Sequence, residues 1–313
     1  MKVTVIGAAG SVGAPVAFNL AASRVAEEVV MIDTRANFVK QHAMDIGTAV
    51  SALDVRVRDG GYADMAGSDI VINAAGAPQG LIADRMEMLP RNIPMIRDIA
   101  LQIKRHCPDA VVITATNPID PLNYATWRAG GFDRCQLFGY SINDSFRFRE
   151  LAARAKGVKA SRVQATVIGE HGSSQVPLFS SVRIDGRPAP FSAEEKQAIL
   201  AEIPNILRRY EELQTGRTAG WTCAIGMVAI TRAILQDTGE IFPCSAVLDG
   251  EYGQRDLSMS IPVSLGRRGI RKMLELELAP DERSGLARSV EVLRAAARAV
   301  DAALHVPGIV SGE

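Results

Sequence analysis

The chain of 313 residues is long enough for about two domains, and a composition with 47% hydrophobic residues is typical of a globular protein. Its 35 Lys and Arg residues balance 35 Asp and Glu residues, and a formal net charge of zero argues against nucleic-acid and membrane-surface partners. Small molecules are therefore the expected partners, and four cysteines without a CxxC pair argue against a zinc cluster or a secreted disulfide framework and favour a cytoplasmic location.

The first 142 residues alternate short apolar runs with longer amphipathic stretches. The runs "KVTVIG", "EVVMID", "DIVINAAG" and "AVVITATNP" predict strands, and the stretches 11–23, 35–47 and 85–106 predict helices. Strands that alternate with helices form parallel sheets through right-handed crossovers. We therefore predict an α/β fold in which residues 1–142 form a Rossmann-type, doubly wound parallel sheet.

Residues 143–313 show a different pattern, which predicts a mixed α+β C-terminal domain. Strand-like runs occur in "RVQATVIG", "FPCSAVLDG" and "LSMSIPVSLG", and Asp185-Gly186 is a hairpin-turn signal. The predicted helices span residues 144–156, 192–213, 217–236 and 281–303. No linker rich in proline or glycine separates the two halves, so we expect them to share an extensive interface.

A glycine-rich turn follows the first strand. In "VTVIGAAGSVGAP", Gly7 permits a tight turn, Gly10 lets the backbone approach a pyrophosphate, and Gly13 permits close packing of helix on strand. Glycines alone could serve turns and packing only. Asp33, however, ends the second strand at the spacing where a carboxylate accepts hydrogen bonds from the adenine-ribose hydroxyls. The combination predicts a dinucleotide site, and because Asp33 would repel a 2′-phosphate, it favours NAD over NADP.

His171 lies in the polar segment "IGEHGSSQVP", where a histidine is more readily presented to a cavity than buried. Asp144 and Arg147 lie three residues apart at the start of a predicted helix, and therefore on one face. An aspartate could orient the imidazole, and an arginine could bind a carboxylate through two parallel hydrogen bonds. The alternative is that Asp144 and Arg147 form a surface ion pair.

The chain resembles the lactate/malate dehydrogenase family, NAD-dependent oxidoreductases of L-2-hydroxy acids. "GAAGSVG", "MID", "TNPID", "NDSFRFR" and "IGEHGSSQVP" occur in the order and near the spacings of that family. The resemblance implies that His171 is the acid and base, that Asp144 holds its imidazole, and that Arg147 binds the substrate carboxylate. It further implies that Asn117 contacts both nicotinamide and substrate.

The family also has a mobile loop that carries an arginine, which polarises the substrate carbonyl once the loop closes. In the segment "GAPQGLIADRMEMLPRN", Arg85 falls at that position. Closure would expel water and strengthen the field on the developing alkoxide. The alternative for Arg85 is a surface residue at the start of a helix.

Two positions depart from the pattern of one branch of the family. Gln79, six residues before Arg85, occupies the substrate-discriminating position, where the family has arginine for malate and glutamine for lactate. A glutamine cannot neutralise a second carboxylate, so Gln79 favours a substrate with a non-acidic side chain, whereas "GAAGSVG" and "YATWRAGGF" are similar to the malate branch. Trp221 aligns with a pocket position, and it could narrow the pocket, stack on substrate or pack in the core.

Two other functions are compatible with a dinucleotide-binding fold. Short-chain dehydrogenases need a tyrosine followed four residues later by lysine, and none of the five tyrosines has that partner. A catalytically silent NAD-binding sensor or assembly protein is the remaining alternative, although a pure binder has no need for a proton-transfer pair. The resemblance also implies a homodimer or homotetramer.

Overall fold

The structure is a computed structural model that describes residues 1–77, 85–215 and 219–305. Its centre is a parallel sheet in the order β3-β2-β1-β4-β5-β6. The strands are β1 (Lys2–Ile6), β2 (Glu28–Ile32), β3 (Arg56–Asp59), β4 (Ile70–Asn73), β5 (Val111–Thr114) and β6 (Leu137–Tyr140). This order is that of a doubly wound dinucleotide-binding sheet, which confirms the predicted fold class.

Five helices accompany these strands. They are α1 (Gly13–Ala22), α2 (Ala36–Ala49), α3 (Leu89–His106), α4 (Ile119–Gly130) and α5 (Ile142–Ala155). Helix α4 was not predicted, because nine of its twelve residues are buried and it lacks the polar stripe of an amphipathic helix. It ends at Gly131, whose φ of 58° and hydrogen bond to the Trp127 carbonyl form a left-handed cap.

The C-terminal half adds smaller elements and three further helices. The short strands are β7 (Val163–Gln164), β8 (Val167–Ile168), β9 (Val176–Pro177), β10 (Arg183–Ile184) and β11 (Arg187–Pro188). The longer elements are α6 (Ala193–Glu212), α7 (Gly220–Leu235), β12 (Ile241–Asp249), β13 (Arg255–Gly266), β14 (Gly269–Met273) and α8 (Pro280–His305). Asp185 and Gly186 connect β10 to β11 with φ of 50° and 75°, as the hairpin signal predicted.

The two halves of the chain share one sheet. Strand β12 pairs antiparallel with β6, and β13 and β14 follow, so that nine strands of the described chain form a single sheet. The sequence did not predict this continuity. The division into residues 1–142 and 143–313 stays a prediction, and its boundary falls at the first residue of α5.

Helix α7 of the second half packs directly on α1. At Gly220 an added Cβ would lie 2.0 Å from the Ser11 carbonyl oxygen, so only glycine allows this approach. The second half of the chain therefore supports the glycine-rich turn between β1 and α1.

Candidate active site

The glycine-rich turn has the geometry that its sequence predicts. Gly7 has a φ of 78°, and a Cβ there would lie 2.5 Å from the Ala75 nitrogen, so the turn requires glycine. A Cβ at Gly13 would lie 2.2 Å from the Gly7 carbonyl oxygen, whereas Gly10 has space apart from that oxygen at 3.1 Å and Arg35 at 4.0 Å. The turn thus leaves room above Gly10 and leads into the N-terminus of α1, where N–H groups favour phosphate.

Asp33 follows β2 and faces this turn. Its Oδ2 accepts the Ala9 N–H at 2.9 Å, and its Oδ1 accepts the Arg35 N–H at 2.9 Å and the Arg35 Nε–H at 3.2 Å. Burial alone would raise the pKa of Asp33, but the hydrogen bonds from Arg35 and Ala9 outweigh burial and hold this pKa below its usual value. Asp33 is therefore an ionised acceptor beside the turn.

His171, Asp144 and Arg147 form one buried cluster. The His171 Nδ1 lies 2.5 Å from Asp144 Oδ2, and Arg147 donates to Asp144 Oδ1 at 3.1 Å. The Asp144 and Arg147 side chains are only 5% and 12% exposed, so the alternative of a surface ion pair is wrong. Because an ionised carboxylate can only accept, Nδ1 carries the proton and Nε2 remains for a reacting group.

The local fold explains how the cluster forms. Asp144 and Arg147 lie on the first turns of α5, and His171 lies in the loop between β8 and β9. Gly169, with a φ of 88°, begins this loop, and its N–H and carbonyl both pair with Ser260 of β13 at 2.9 and 3.0 Å. The loop backbone is therefore attached to the central sheet.

Two acidic residues that the sequence analysis did not assign stabilise this loop, Asp120 from α4 and Glu170 from within the loop. Asp120, in the first turn of α4, accepts the His171 N–H through Oδ2 at 2.6 Å and the Ser245 hydroxyl through Oδ1 at 2.5 Å. Glu170 Oε2 accepts the Ser174 N–H at 3.0 Å. A carboxylate among apolar and proline residues, as in "NPIDPL", was the available signal for Asp120.

Asn117 follows β5 at the same edge of the sheet. The fully buried Asn92 of α3 donates to the Asn117 carbonyl at 2.9 Å and accepts the Ala77 N–H at 3.0 Å. Among the described residues, the buried Asn117 Oδ1 has no hydrogen-bond partner. A buried acceptor of this kind fits a ligand that brings a donor, such as the carboxamide of a nicotinamide.

Gln79 and the side chain of Arg85 are not among the parts of the chain that the structure describes. Gln79 lies outside the described residues. Arg85 begins a short 3-10 turn, Arg85–Met88, immediately before α3, but its side chain lies outside the described part. The roles of both residues therefore stay predictions.

Trp221 lies in the first turn of α7 and is 69% exposed, so the alternative of packing in the core is wrong. It shares an outer face with Ile225, one helical turn later and 63% exposed. Cys223, two residues after Trp221, contacts Asn143, which precedes Asp144. The Asn143 amide nitrogen lies 3.1 Å from the Cys223 sulfur. The two pocket roles of Trp221 stay predictions.

Residues 1–77, 85–215 and 219–305 show neither a metal-binding cluster nor a membrane-spanning helix. No group of three or more His, Cys, Asp or Glu residues in these ranges could hold a metal ion. No helix in them is both long and apolar enough to cross a membrane.

Comparison with known proteins gives consistent matches along the chain. Residues 1–139 match the profile of "lactate/malate dehydrogenase, NAD binding domain", and residues 143–303 match "lactate/malate dehydrogenase, alpha/beta C-terminal domain". The malate dehydrogenase of Halobacterium salinarum is 39% identical over 302 residues, covering 94% of this chain and 97% of the relative. L-lactate dehydrogenase 1 of Staphylococcus aureus is 33% identical over 301 residues, covering 94% and 95%. The lactate dehydrogenase of Cryptosporidium parvum, solved with lactic acid and nicotinamide adenine dinucleotide, superimposes with a TM-score of 0.91 at 30% identity, covering 96% and 98%.

Proposed function

Since the chain belongs to the lactate/malate dehydrogenase family and is an NAD-dependent 2-hydroxy acid dehydrogenase, we propose that it interconverts an L-2-hydroxy acid and its 2-oxo acid with His171 as acid and base. The observation that carries this proposal is the buried His171–Asp144–Arg147 cluster. It combines a proton-transfer group with a cation for the substrate carboxylate. A silent NAD-binding protein has no use for this arrangement, and no observation favours that alternative.

His171 removes the hydroxyl proton through Nε2, and in the reverse direction it returns this proton to the carbonyl oxygen. When bound, the nicotinamide ring supplies the chemistry of accepting or giving a hydride at the substrate carbon. Asp144 Oδ2 lies 2.5 Å from the His171 Nδ1. This contact orients the imidazole, and the carboxylate stabilises its protonated form. Arg147 uses one N–H on Asp144 at 3.1 Å, and its planar guanidinium has further donors for the substrate carboxylate.

Arg85 and Asn117 complete the proposed site. Arg85 would polarise the carbonyl from the loop that precedes α3. Asn117 would contact the nicotinamide side and the substrate oxygen, and its unpartnered buried Oδ1 supports such a contact among the described residues. Asp33 would accept the adenine-ribose hydroxyls, with Gly7, Gly10 and Gly13 shaping the turn for the pyrophosphate.

For the substrate, we propose a 2-oxo acid with a non-acidic side chain. Gln79 supports this choice, because an amide cannot neutralise a second buried carboxylate. The second candidate is malate with oxaloacetate, favoured by 39% identity to a malate dehydrogenase against 33% to a lactate dehydrogenase. In that case another cation must meet the second carboxylate, and the exposed Arg91 of α3 is the first to test.

The experiment is a set of initial rates of NADH oxidation with pyruvate, fresh oxaloacetate, and longer and branched 2-oxo acids. His171→Asn protein is the blank, because it should bind NADH and show no turnover. Fresh oxaloacetate matters because it decays to pyruvate. Preference for a neutral acid supports Gln79 as the selective residue, whereas preference for oxaloacetate supports the second candidate, and turnover by the His171→Asn protein would contradict the mechanism.

We also propose that the protein is a homodimer or homotetramer. Helices α2 and α7 both pack on α1, and each of these helices exposes large apolar side chains. The exposed side chains are Phe18, Phe38, Met44, Trp221 and Ile225. A partner subunit would cover them, since such groups favour contact over exposure to water. Light scattering of the wild type and of Ile225→Lys tests this, and a monomeric wild type would contradict it.

A cytoplasmic location is proposed from the cysteines. All four, Cys107, Cys135, Cys223 and Cys244, are free thiols, as a reducing compartment allows. Cell fractionation followed by immunoblotting tests the location, and recovery in a secreted fraction would contradict it.

A further inference from the structure

Asp120 is a buried carboxyl group directly behind the catalytic loop. It is 1% exposed, and each of its oxygens accepts one hydrogen bond. Oδ2 accepts the backbone N–H of His171 at 2.6 Å, and Oδ1 accepts the Ser245 hydroxyl at 2.5 Å. The carboxyl thus joins the first turn of α4 to the loop of His171 and to β12.

The other end of this connection is held by a buried polar network. The Ser245 hydroxyl lies 2.8 Å from that of Ser258 on β13, and the Asn123 amide donates to the Ser245 carbonyl at 3.1 Å and to the Ser258 hydroxyl at 2.9 Å. Burial raises the pKa of Asp120 to about 7, and the hydrogen bonds from Ser245 and His171 oppose that rise only in part. Retaining an acidic group in such surroundings has a cost in stability, which an apolar residue would avoid.

Asp120 links the chain segment of Asn117 to the loop of His171. Asp120 lies three residues after Asn117, the residue proposed to contact the nicotinamide and substrate. In the proposed reaction, the proton and the hydride must reach neighbouring atoms of one carbon–oxygen bond. A group that ties the Asn117 segment to the backbone of His171 therefore controls the distance between the two transfers.

We propose that Asp120 is a positioning residue, which acts through its hydrogen bond to the His171 backbone N–H and fixes the imidazole relative to the segment of Asn117. The inference rests on the proposed role of His171. Asp120 makes no contact with substrate in this proposal, and its effect on turnover is transmitted through the loop.

Two substitutions separate the hydrogen bond from the rest of the side chain. Asp120→Asn keeps an acceptor for the His171 N–H and can donate to Ser245, whereas Asp120→Ala removes both contacts. The matched control is Glu282→Ala. Glu282 is also buried, 3% exposed, and accepts the Ser180 N–H and the Ala279 N–H, both at 2.9 Å, and the Ser180 hydroxyl at 2.6 Å, so these hydrogen bonds join it to residues outside the His171 loop.

The measurements are kcat with the best 2-oxo acid, the Kd for NADH, and the ring resonance of His171. The chain has four histidines, so selective labelling gives four signals per subunit, and His171→Asn identifies the relevant one. Asp120→Ala should lower kcat by about 100-fold, the order expected for a reacting group displaced by about 1 Å, with the Kd for NADH nearly unchanged and the His171 signal shifted. Asp120→Asn should recover most of the lost rate, and Glu282→Ala should leave both kcat and the signal near those of the wild type.

The proposal is wrong if Asp120→Ala matches Glu282→Ala in rate and in the His171 signal, or if Asp120→Asn is as slow as Asp120→Ala. Should Asp120→Ala fail to fold, Ser245→Ala provides the test, because it removes the donor that holds the other oxygen. It should lower kcat and shift the His171 signal, and an unchanged rate and signal would overturn the proposal. If the wild type reduces none of the 2-oxo acids, the proposed function fails, while the His171 signal still reports on positioning.

Discussion

Replacing Asp144 by Asn removes one negative charge from the buried cluster, and it also puts an amide NH2, which can only donate, where Asp144 Oδ1 accepts from Arg147. The Asn oxygen can still accept the Nδ1–H of His171, which lies 2.5 Å from Asp144 Oδ2 in the wild type. The loss therefore combines the electrostatic stabilisation of the protonated imidazole, which develops as the hydroxyl proton is removed, with the hydrogen bond from Arg147. Because both side chains are only 5% exposed, water screens this interaction weakly.

Two estimates bound the size of this effect. Opposite unit charges about 4 Å apart at an effective dielectric constant of 20 attract by about 4 kcal/mol. A hydrogen bond to a charged group contributes about 1.5 to 3 kcal/mol net. We therefore expect a loss of about 1.5 to 4 kcal/mol in transition-state stabilisation, which corresponds to a fall in kcat/KM of roughly 13-fold to 900-fold.

The assay is kcat/KM for the best 2-oxo acid, with the Kd for NADH measured by fluorescence. The matched control is Glu150→Gln, which removes a carboxylate from the same helix, where it pairs with Arg154 at 65% exposure. This control should behave like the wild type. A loss below about tenfold for Asp144→Asn, with normal folding and NADH binding, would refute the electrostatic reasoning.

Three further predictions concern the cofactor site and the stability of the fold. Asp33→Ser should weaken NADH binding and reduce the preference for NADH over NADPH. The reason is that the charge that repels a 2′-phosphate is lost, while Arg35 stays nearby. An unchanged ratio of the Kd values for NADH and NADPH in fluorescence titrations would contradict this. Gly13→Ala should lower the free energy of unfolding, measured in urea titrations, by about 1 to 3 kcal/mol, because the added Cβ would lie 2.2 Å from the Gly7 carbonyl oxygen. The control is Gly61→Ala, which should change this free energy little, because nothing lies within 4 Å of a Cβ at that position. Equal losses in the two variants would contradict the packing argument. The fold raises the pKa of Asp120 from 3.8 to about 7, so it binds this proton more tightly than the unfolded chain does, and the associated stability is lost as the pH rises across that interval. As the pH rises from about 4 to about 7, the unfolding free energy of Asp120→Asn should therefore increase relative to that of the wild type. If the difference between the two unfolding free energies does not depend on pH, Asp120 does not titrate in this way.

Local patterns in the sequence were sufficient for four of the six parallel strands, β1, β2, β4 and β5, and for the residues of the cofactor turn, whereas β3, β6 and α4 were not predicted. The period of apolar residues distinguishes strand from helix. A backbone position that needs a positive φ, such as position 7 at 78°, favours glycine and can be recognised from that single residue. The Asp185-Gly186 hairpin is equally local. The motif resemblance also assembled His171, Asp144 and Arg147 in advance, although it could not show that their cluster is buried.

The tertiary structure alone decided the features that depend on contacts between distant segments. Asp120 meets the backbone of His171 across 51 residues of chain, and β12 joins β6 to make one sheet from two halves. Trp221 is placed outside because α7 turns its other face toward α1. Such outcomes depend on which faces of α4, α7 and the sheet pack together, and that packing is a property of the whole core, which no window of sequence contains.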